Sequence, residues 1–162
     1  MALDPEKSVA DYRAIAALAL APGETVLDVG CGTGFCFAPL MAAVGPSGCI
    51  LSFDHSTALL SIARSRVADA GWGNVAILES RAEAVDFRAE IARRGIAPPS
   101  ALLFSYVHDV MQSDAALDIF TQSYTSCPSP LSPSDLFQPP ATCPFPAALS
   151  ASAWCLALPA SP

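Results

Sequence analysis

The sequence is short of charged residues, and short of positive charge in particular. Only 14% of its 162 residues are charged, and eight Lys and Arg stand against fifteen Asp and Glu, which gives a formal net charge of −7. Lys7 is the only lysine. Domains that bind nucleic acids cluster Lys and Arg on one face to neutralise phosphates. The composition therefore argues against a DNA- or RNA-binding module, and we expect no nucleic-acid partner.

Three other patterns are missing. The first residues contain no positive leader followed by an apolar block, so no secretory signal is visible. No uninterrupted apolar run reaches the ~20 residues that span a membrane. The six cysteines include no Cys-x-x-Cys pair, which argues against a zinc site or a disulfide framework. We therefore expect a cytoplasmic protein with reduced thiols, no membrane span and no metal.

The most informative stretch covers residues 25–35 and reads Thr-Val-Leu-Asp-Val-Gly-Cys-Gly-Thr-Gly-Phe. Its first half is a short apolar run that is typical of a buried strand. Gly30, Gly32 and Gly34 follow at alternate positions, where the absence of a Cβ lets the backbone turn tightly and approach a ligand. The apolar residues 35–44 then predict a helix. A strand, a glycine loop and a helix amino terminus together predict a nucleotide-sized binding site.

Two details of this stretch narrow the ligand. The glycines are spaced Gly-x-Gly-x-Gly, whereas a dinucleotide fingerprint has Gly-x-Gly-x-x-Gly. Asp28 precedes the loop, and a carboxylate there would repel a pyrophosphate but attract an amino-bearing ligand. Residues 26–34 resemble the first motif of class I S-adenosylmethionine-dependent methyltransferases. The resemblance implies S-adenosylmethionine as cofactor, with the backbone of Gly30, Cys31 and Gly32 lining its methionine part.

Downstream of the loop, strand-like and helix-like segments alternate. Residues 49–53, 75–78 and 101–104 are short apolar runs that predict strands, and residues 57–70 predict a helix between the first two. With the resemblance, this alternation predicts an α/β fold, namely a Rossmann-like doubly wound parallel sheet in the spatial order 3-2-1-4. Helices should cover both of its faces.

Two of the predicted helices have apolar stripes. Tyr12 recurs with other apolar residues at helical spacing in the first helix. We interpret it as core-facing, with a partial lid over the cofactor as the alternative suggested by the family. In the helix over 57–70, Leu59, Leu60, Ile62 and Ala63 are expected to face inward.

Acidic residues near the strand ends are candidate cofactor ligands. The resemblance implies that Asp28 stabilises the loop or meets the amino group of the methionine part. Asp54 ends the second strand, where an acid in a doubly wound fold accepts hydrogen bonds from the ribose hydroxyls. An ordinary helix-capping acid is the alternative for Asp54. His55 is expected to lie over the adenosine.

The loop after the third strand is where the resembled family holds the adenine, often through an acidic side chain. Arg81 stands near that position in this sequence, and a guanidinium offers no hydrogen-bond acceptor. The backbone of Ala82 is then the candidate adenine contact. Glu79 or Glu83 could substitute for the missing acid.

The segment after the fourth strand is similar to the family's fourth motif, which implies that Ser105 and Tyr106 lie beneath the methionine chain of the cofactor. His108 and Asp109 are the titratable pair near the expected methyl end. A histidine could act there as a general base toward an amine or hydroxyl, whereas a helix cap or a surface pair is the alternative. Because many methyl transfers need only alignment of the reactants, the catalytic residues stay unassigned.

Residues 123–162 differ from the rest, with nine prolines and eight serines against one charged residue, Asp135. Dense prolines remove backbone donors and disfavour helix interiors and central strands. We therefore divide the chain into a partial methyltransferase domain, 1–122, and an irregular or disordered tail, 123–162, in which only 146–158 could form a short helix. The resembled family has three further strands, so we expect a truncated domain whose fourth strand has an exposed edge unless the tail covers it.

These patterns predict S-adenosylmethionine-dependent methyl transfer to a small-molecule or lipid-like nucleophile. A catalytically inactive cofactor-binding fragment is the main alternative, because the last strands of the family are not visible in the sequence. A nicotinamide-dependent oxidoreductase is a further alternative, although it would need the longer glycine spacing. The methyl acceptor and the oligomeric state do not follow from the sequence.

Overall fold

The computed structural model describes residues 5–105, 113–114 and 153–157. The helices of this part of the chain are α1 (Pro5–Ala17), α2 (Phe37–Val44), α3 (Thr57–Ala70) and α4 (Phe87–Arg94). Its strands are β1 (Thr25–Val29), β2 (Cys49–Asp54), β3 (Val75–Glu79), β4 (Ala101–Ser105) and β5 (Ala153–Ala157). A short 3-10 turn, Ala82–Ala84, lies between β3 and α4.

The strands form one sheet in the order β3-β2-β1-β4-β5. β1 pairs in parallel with both β2 and β4, and β2 pairs in parallel with β3. The predicted order 3-2-1-4 is therefore confirmed. Because Val29 lies opposite both Phe53 and Phe104, the carboxyl ends of β1, β2 and β4 meet at one edge of the sheet.

β1 is buried along its whole length, because helices cover both faces of the sheet around it. Its alternation sends Val26 to the face on which α1, α2 and α3 pack, whereas Leu27 and Val29 face α4. Asp28 has the same parity as Val26. A carboxylate is thereby directed into a face of the sheet that is otherwise covered by apolar side chains.

β5 corrects two expectations about residues 123–162. Its backbone pairs antiparallel with β4, with Ala101 opposite Ala157 and Ser105 opposite Ala153. A helix over 146–158 is therefore wrong for 153–157, and the edge of β4 is covered rather than exposed. The physical reason is that this short run contains no proline, so every residue keeps the backbone donor that a strand needs. The division at residue 122 stays a prediction, because most of the segment lies outside the described residues.

Large apolar side chains on two helices are more exposed than we expected. The relative exposures are 53% for Tyr12, 39% for Leu59 and 50% for Ile62. The core-facing interpretation of Tyr12 is wrong, and in α3 only Leu60 and Ala63 of the expected inward set are buried. Adjacent helical positions lie about 100° apart, so a stripe one residue out of phase turns its members to the surface.

Gly48 tests the packing at the start of β2. A Cβ added to this glycine would lie 2.5 Å from the Cβ of Val44 and 2.6 Å from the carbonyl oxygen of Glu24. Neither atom can rotate away, so we expect Gly48→Ala to lower the free energy of unfolding by about 1–3 kcal/mol in urea denaturation. Gly73→Ala is the matched control, because a Cβ there meets nothing within 4 Å. Equal stability of the two variants would contradict this account.

Candidate functional site

The glycine loop joins β1 to α2 at the carboxyl edge of the sheet. Gly30, Gly32 and Gly34 have φ angles of 67°, 53° and 70°, a left-handed conformation that favours glycine. Gly34 has a second role, since an added Cβ would lie 2.5 Å from a ring carbon of Phe37. At Gly32 only the Leu59 Cδ1, 4.0 Å away, is within contact of such a Cβ. The loop backbone around Gly32 can therefore be approached closely.

The carboxylate of Asp54 holds the loop against the end of β2. Its Oδ2 accepts a hydrogen bond from the Gly32 N–H at 2.9 Å, and its Oδ1 accepts one from the Ser56 N–H at 2.8 Å. The N-cap of α3 is Ser56, whose side chain accepts from the Leu59 N–H. Asp54 is therefore not the capping residue. A carboxylate accepts about four hydrogen bonds, so acceptor capacity remains after these two.

The Cys31 side chain is part of the same loop and is buried. The Cys31 backbone N–H donates to the carbonyl oxygen of Phe53 at 3.0 Å, which adds a backbone hydrogen bond between the loop and β2. Burial and the nearby charge of Asp28 raise the pKa of the Cys31 thiol. This cysteine is therefore a neutral thiol near pH 7. Cys36 and Cys49 are likewise not in disulfides.

Asp28 is the most constrained ionisable group of the site. Its side chain is 1% exposed, and its Oδ2 has no hydrogen-bond partner among the described residues. Burial, with the charges of Asp11 and Asp54, raises the pKa of Asp28 to about 7. A buried carboxylate oxygen without a donor is unfavourable unless it is protonated or a ligand supplies the donor.

Asp11 of α1 belongs to this cluster, and we did not predict it. The residue is 1% exposed, and its Oδ1 accepts a hydrogen bond from the Ser105 Oγ at 2.5 Å. The helical spacing of the buried residues Asp11, Ala14, Ile15 and Leu18 is the signal that could have found it. An acid in the first position of an apolar stripe is directed at the core, where it needs a partner.

The predicted adenosine contacts are on the outer side of the same edge. His55 is exposed, with its Nδ1 3.8 Å from the Asp54 Oδ1. The Ser80 N–H donates to the Asp54 carbonyl oxygen at 3.0 Å, which brings the segment after β3 next to Asp54. Within that segment the Ala82 side chain is buried, and the Arg81 side chain is 81% exposed and 3.8 Å from Glu83.

Other predicted residues are either engaged elsewhere or not described. Glu79 accepts a hydrogen bond from the Thr57 Oγ1 at 2.6 Å and lies 3.5 Å from Arg64, so its carboxylate is already shared between two donors. Tyr106, His108 and Asp109 lie outside the described residues. The general-base hypothesis therefore stays a prediction.

Two open grooves lie away from this edge. Both are lined by Gly71, Trp72 and Gly73, next to Asn74, which precedes β3. Neither groove includes a predicted site residue. Across the described ranges, no helix has the length and apolar character to cross a membrane, and no group of three His, Cys, Asp or Glu side chains could hold a metal.

The raised pKa of Asp28 predicts that the stability of the fold depends on pH. In the unfolded chain Asp28 ionises with the ordinary aspartate pKa of 3.8, whereas the folded chain keeps the proton until about pH 7. The folded state therefore binds more protons between these values, and this contribution to stability is lost as the pH rises toward 7.

We expect Asp28→Asn, which stays neutral, to abolish a loss on the order of 3 kcal/mol between pH 4 and pH 7. Chemical denaturation of the unliganded protein across this range is the measurement. Asp69→Asn, which removes an exposed carboxylate, is the control and should keep the wild-type slope. If Asp28→Asn also kept the wild-type slope, the carboxylate of Asp28 would be ordinary.

Comparisons with known proteins agree with this geometry. Residues 26–98, which include most of β1 and the glycine loop, match the family model described as a methyltransferase domain. The chain is 36% identical over 67 residues to an aklanonic acid methyltransferase of Streptomyces sp. (strain C5), which is 41% of this chain and 30% of the relative. It is 35% identical over 65 residues to a demethylmenaquinone methyltransferase of Lactococcus lactis, which is 40% of this chain and 26% of the relative. The match thus spans less than a third of each relative.

A solved structure from Staphylococcus aureus, assigned as a caffeoyl-CoA O-methyltransferase, superposes with a TM-score of 0.53 at 13% identity. The alignment covers 76% of this chain and 54% of that chain, and at this identity it supports the fold alone. The family model and both relatives are methyltransferases by description. Over residues 26–98, a little under half of its length, the chain is therefore similar to methyltransferase domains, and its described part shares their fold.

Proposed function

We propose that the chain binds S-adenosylmethionine at the carboxyl edge of the sheet and transfers its methyl group to a small-molecule or lipid-like acceptor. The observation that carries the proposal is the pair formed by Asp28 and the glycine loop. The loop backbone is open at Gly32, and beside it the buried Asp28 Oδ2 has no donor among the described residues. An ammonium group supplies such donors together with a compensating positive charge.

The methionine part of the cofactor fits these residues. Its ammonium would donate to Asp28, and the backbone of Gly30, Cys31 and Gly32 would line the chain beside it. Gly34 would keep α2 close to the loop through its contact with Phe37. Ser105 is at the end of β4, and its hydroxyl hydrogen already serves Asp11. A contact from Ser105 to the cofactor would therefore use its backbone or its oxygen lone pairs.

The ribose and adenine fit the outer half of the edge. Asp54 keeps acceptor capacity for two ribose hydroxyls, because each of its oxygens accepts one backbone N–H. His55 is exposed beside this carboxylate and is available to cover the adenosine. Arg81 cannot accept from the adenine amino group, so the backbone at Ala82 is the expected contact on that side.

When bound, S-adenosylmethionine supplies a methyl group on a sulfonium, and the electron pair of the broken C–S bond passes to sulfur as the acceptor's lone pair forms the new bond. The residues of this chain contribute orientation and electrostatics. Orientation can supply a large part of the rate enhancement without a catalytic base. The acceptor proton leaves to solvent or to a base, for which His108 stays a hypothesis.

The small-acceptor part of the proposal is supported by the names of the relatives and by charge. The two relatives are named for aklanonic acid and demethylmenaquinone, both small organic acceptors. A net charge of −7 disfavours a nucleic-acid substrate. The catalytically inactive alternative has the same cofactor site, so cofactor binding and methyl transfer need separate tests.

We expect S-adenosylhomocysteine to bind the purified chain in calorimetry, and Asp54→Ala to weaken that binding by about a hundredfold or more. The physical reason is that the variant loses both the ribose acceptors and the tether on Gly32. Asp69→Ala removes a surface carboxylate instead and should bind as the wild type does. Absence of binding by folded wild-type protein would overturn the cofactor proposal.

Methyl transfer is tested with radiolabelled S-adenosylmethionine and a panel of phenolic, quinol and amine acceptors. We expect label to appear in an organic-soluble product with at least one acceptor, and to disappear with Asp54→Ala. Label incorporated only into RNA would contradict the small-acceptor proposal. Binding of cofactor without transfer to any member of the panel would favour the inactive alternative.

A further inference from the structure

Helix α1 contributes a second buried carboxylate at the end of β1 and β4. The Ser105 Oγ, on the last residue of β4, donates to the Asp11 Oδ1 at 2.5 Å, which fixes α1 over the carboxyl ends of these strands. Asp28 pairs with Leu103 of β4, so Asp28 and Ser105 share the parity of the face that α1 covers. Two acids from distant parts of the chain are thereby directed into one covered space.

Asp11 and Asp28 repel each other across this space. Asp11 and Asp28 are each 1% exposed, and the Asp28 Oδ2 has no partner among the described residues. The ionisable groups that act on Asp28 are Asp11 from α1 and Asp54 from β2. The charge of Asp28 in turn raises the pKa of the Cys31 thiol in the glycine loop. The Asp11 and Asp54 carboxylates both raise the pKa of Asp28, and within the described part of the chain no cation is among the groups that act on Asp28. A cationic ligand would act on Asp28 in the opposite sense to these two carboxylates.

We propose that Asp11 is a charge-selecting residue, which together with Asp28 biases the site toward the sulfonium-bearing S-adenosylmethionine over its uncharged-sulfur product, S-adenosylhomocysteine. The inference rests on the proposed function and deepens it. Both ligands carry the same ammonium, carboxylate and adenosine, and they differ by one positive charge at sulfur. A second buried carboxylate lowers the free energy of the charged ligand more than that of the neutral-sulfur ligand, because the interaction acts through a poorly screened interior.

The bias has a consequence for turnover. Methyl transfer removes the positive charge at sulfur, and the two carboxylates then hold a ligand with one fewer compensating charge. Their mutual repulsion is restored in part, which destabilises the product complex relative to the substrate complex. Ser105 supports this role by donating to the Asp11 Oδ1, which holds that carboxylate over the ends of the strands.

The test compares the dissociation constants of the two ligands for matched variants by calorimetry at pH 7. Asp11→Asn keeps the shape of the side chain and removes its charge. We expect the ratio of the S-adenosylhomocysteine constant to the S-adenosylmethionine constant to fall by about three- to tenfold relative to the wild type. Asp69→Asn removes the same charge from the surface of α3 and should leave the ratio unchanged. Asp11→Glu, which restores the charge, should recover most of the wild-type ratio.

A structural role alone would weaken both ligands equally and leave the ratio at the wild-type value, and this result would overturn the inference while the proposed function stood. A wild type that binds neither ligand would overturn both.

Discussion

Asp54 joins three segments on which the candidate site depends. Its carboxylate accepts from the loop at Gly32 and from the start of α3 at Ser56, and its backbone carbonyl accepts from Ser80 after β3. Parallel pairing makes this possible, since the ends of β1, β2 and β3 lie at the same edge. One acid at the end of β2 therefore organises both the loop and the adenosine side. The same carboxylate contributes to the negative field on Asp28.

The repulsion between these buried acids shows how a binding site can lower the stability of the fold. Asp11, Asp28 and Asp54 are all buried on one side of the sheet, where charges are poorly screened. Apolar residues at positions 11 and 28 would relieve the repulsion. Residues that break a local rule of folding are expected at functional sites. Here the broken rule is the burial of like charges, and a cationic ligand is the partner that would offset it.

The parts of the fold that were predictable from sequence are those with local signals. The glycine loop, the alternation of strands and helices and the order 3-2-1-4 follow from short motifs and from the handedness of parallel crossovers. Asp28 and Asp54 were predictable as candidate site residues because each adjoins a recognisable strand end. β5 was not, because its pairing with β4 depends on residues far apart in sequence, and the prolines around it gave the opposite signal.

Asp11 was missed for a different reason. The buried face of a helix is predicted from its apolar residues, so we assigned Tyr12 to the core. The structure buries the neighbouring Asp11 instead. The phase of a short helix cannot be fixed to within one residue when alanines occupy several of its faces, as they do at positions 10, 14, 16 and 17. In α3 the same ambiguity led us to expect Leu59 and Ile62 on the inward face, whereas both are exposed. Contacts between elements, rather than the pattern within one, decided these positions.

The antiparallel partner of β4 has a consequence for how the sheet is made. β5 is synthesised roughly fifty residues after β4, so the backbone N–H and C=O groups along the edge of β4 are without their partner for that interval on the ribosome. Closing a loop of this length costs conformational entropy before any pairing energy is gained. The pairing of β4 with β5 should accordingly be a late event in folding, and until it forms β4 can pair with a strand of another chain. Aggregation through the edge of β4 is therefore most favoured before β5 completes the sheet.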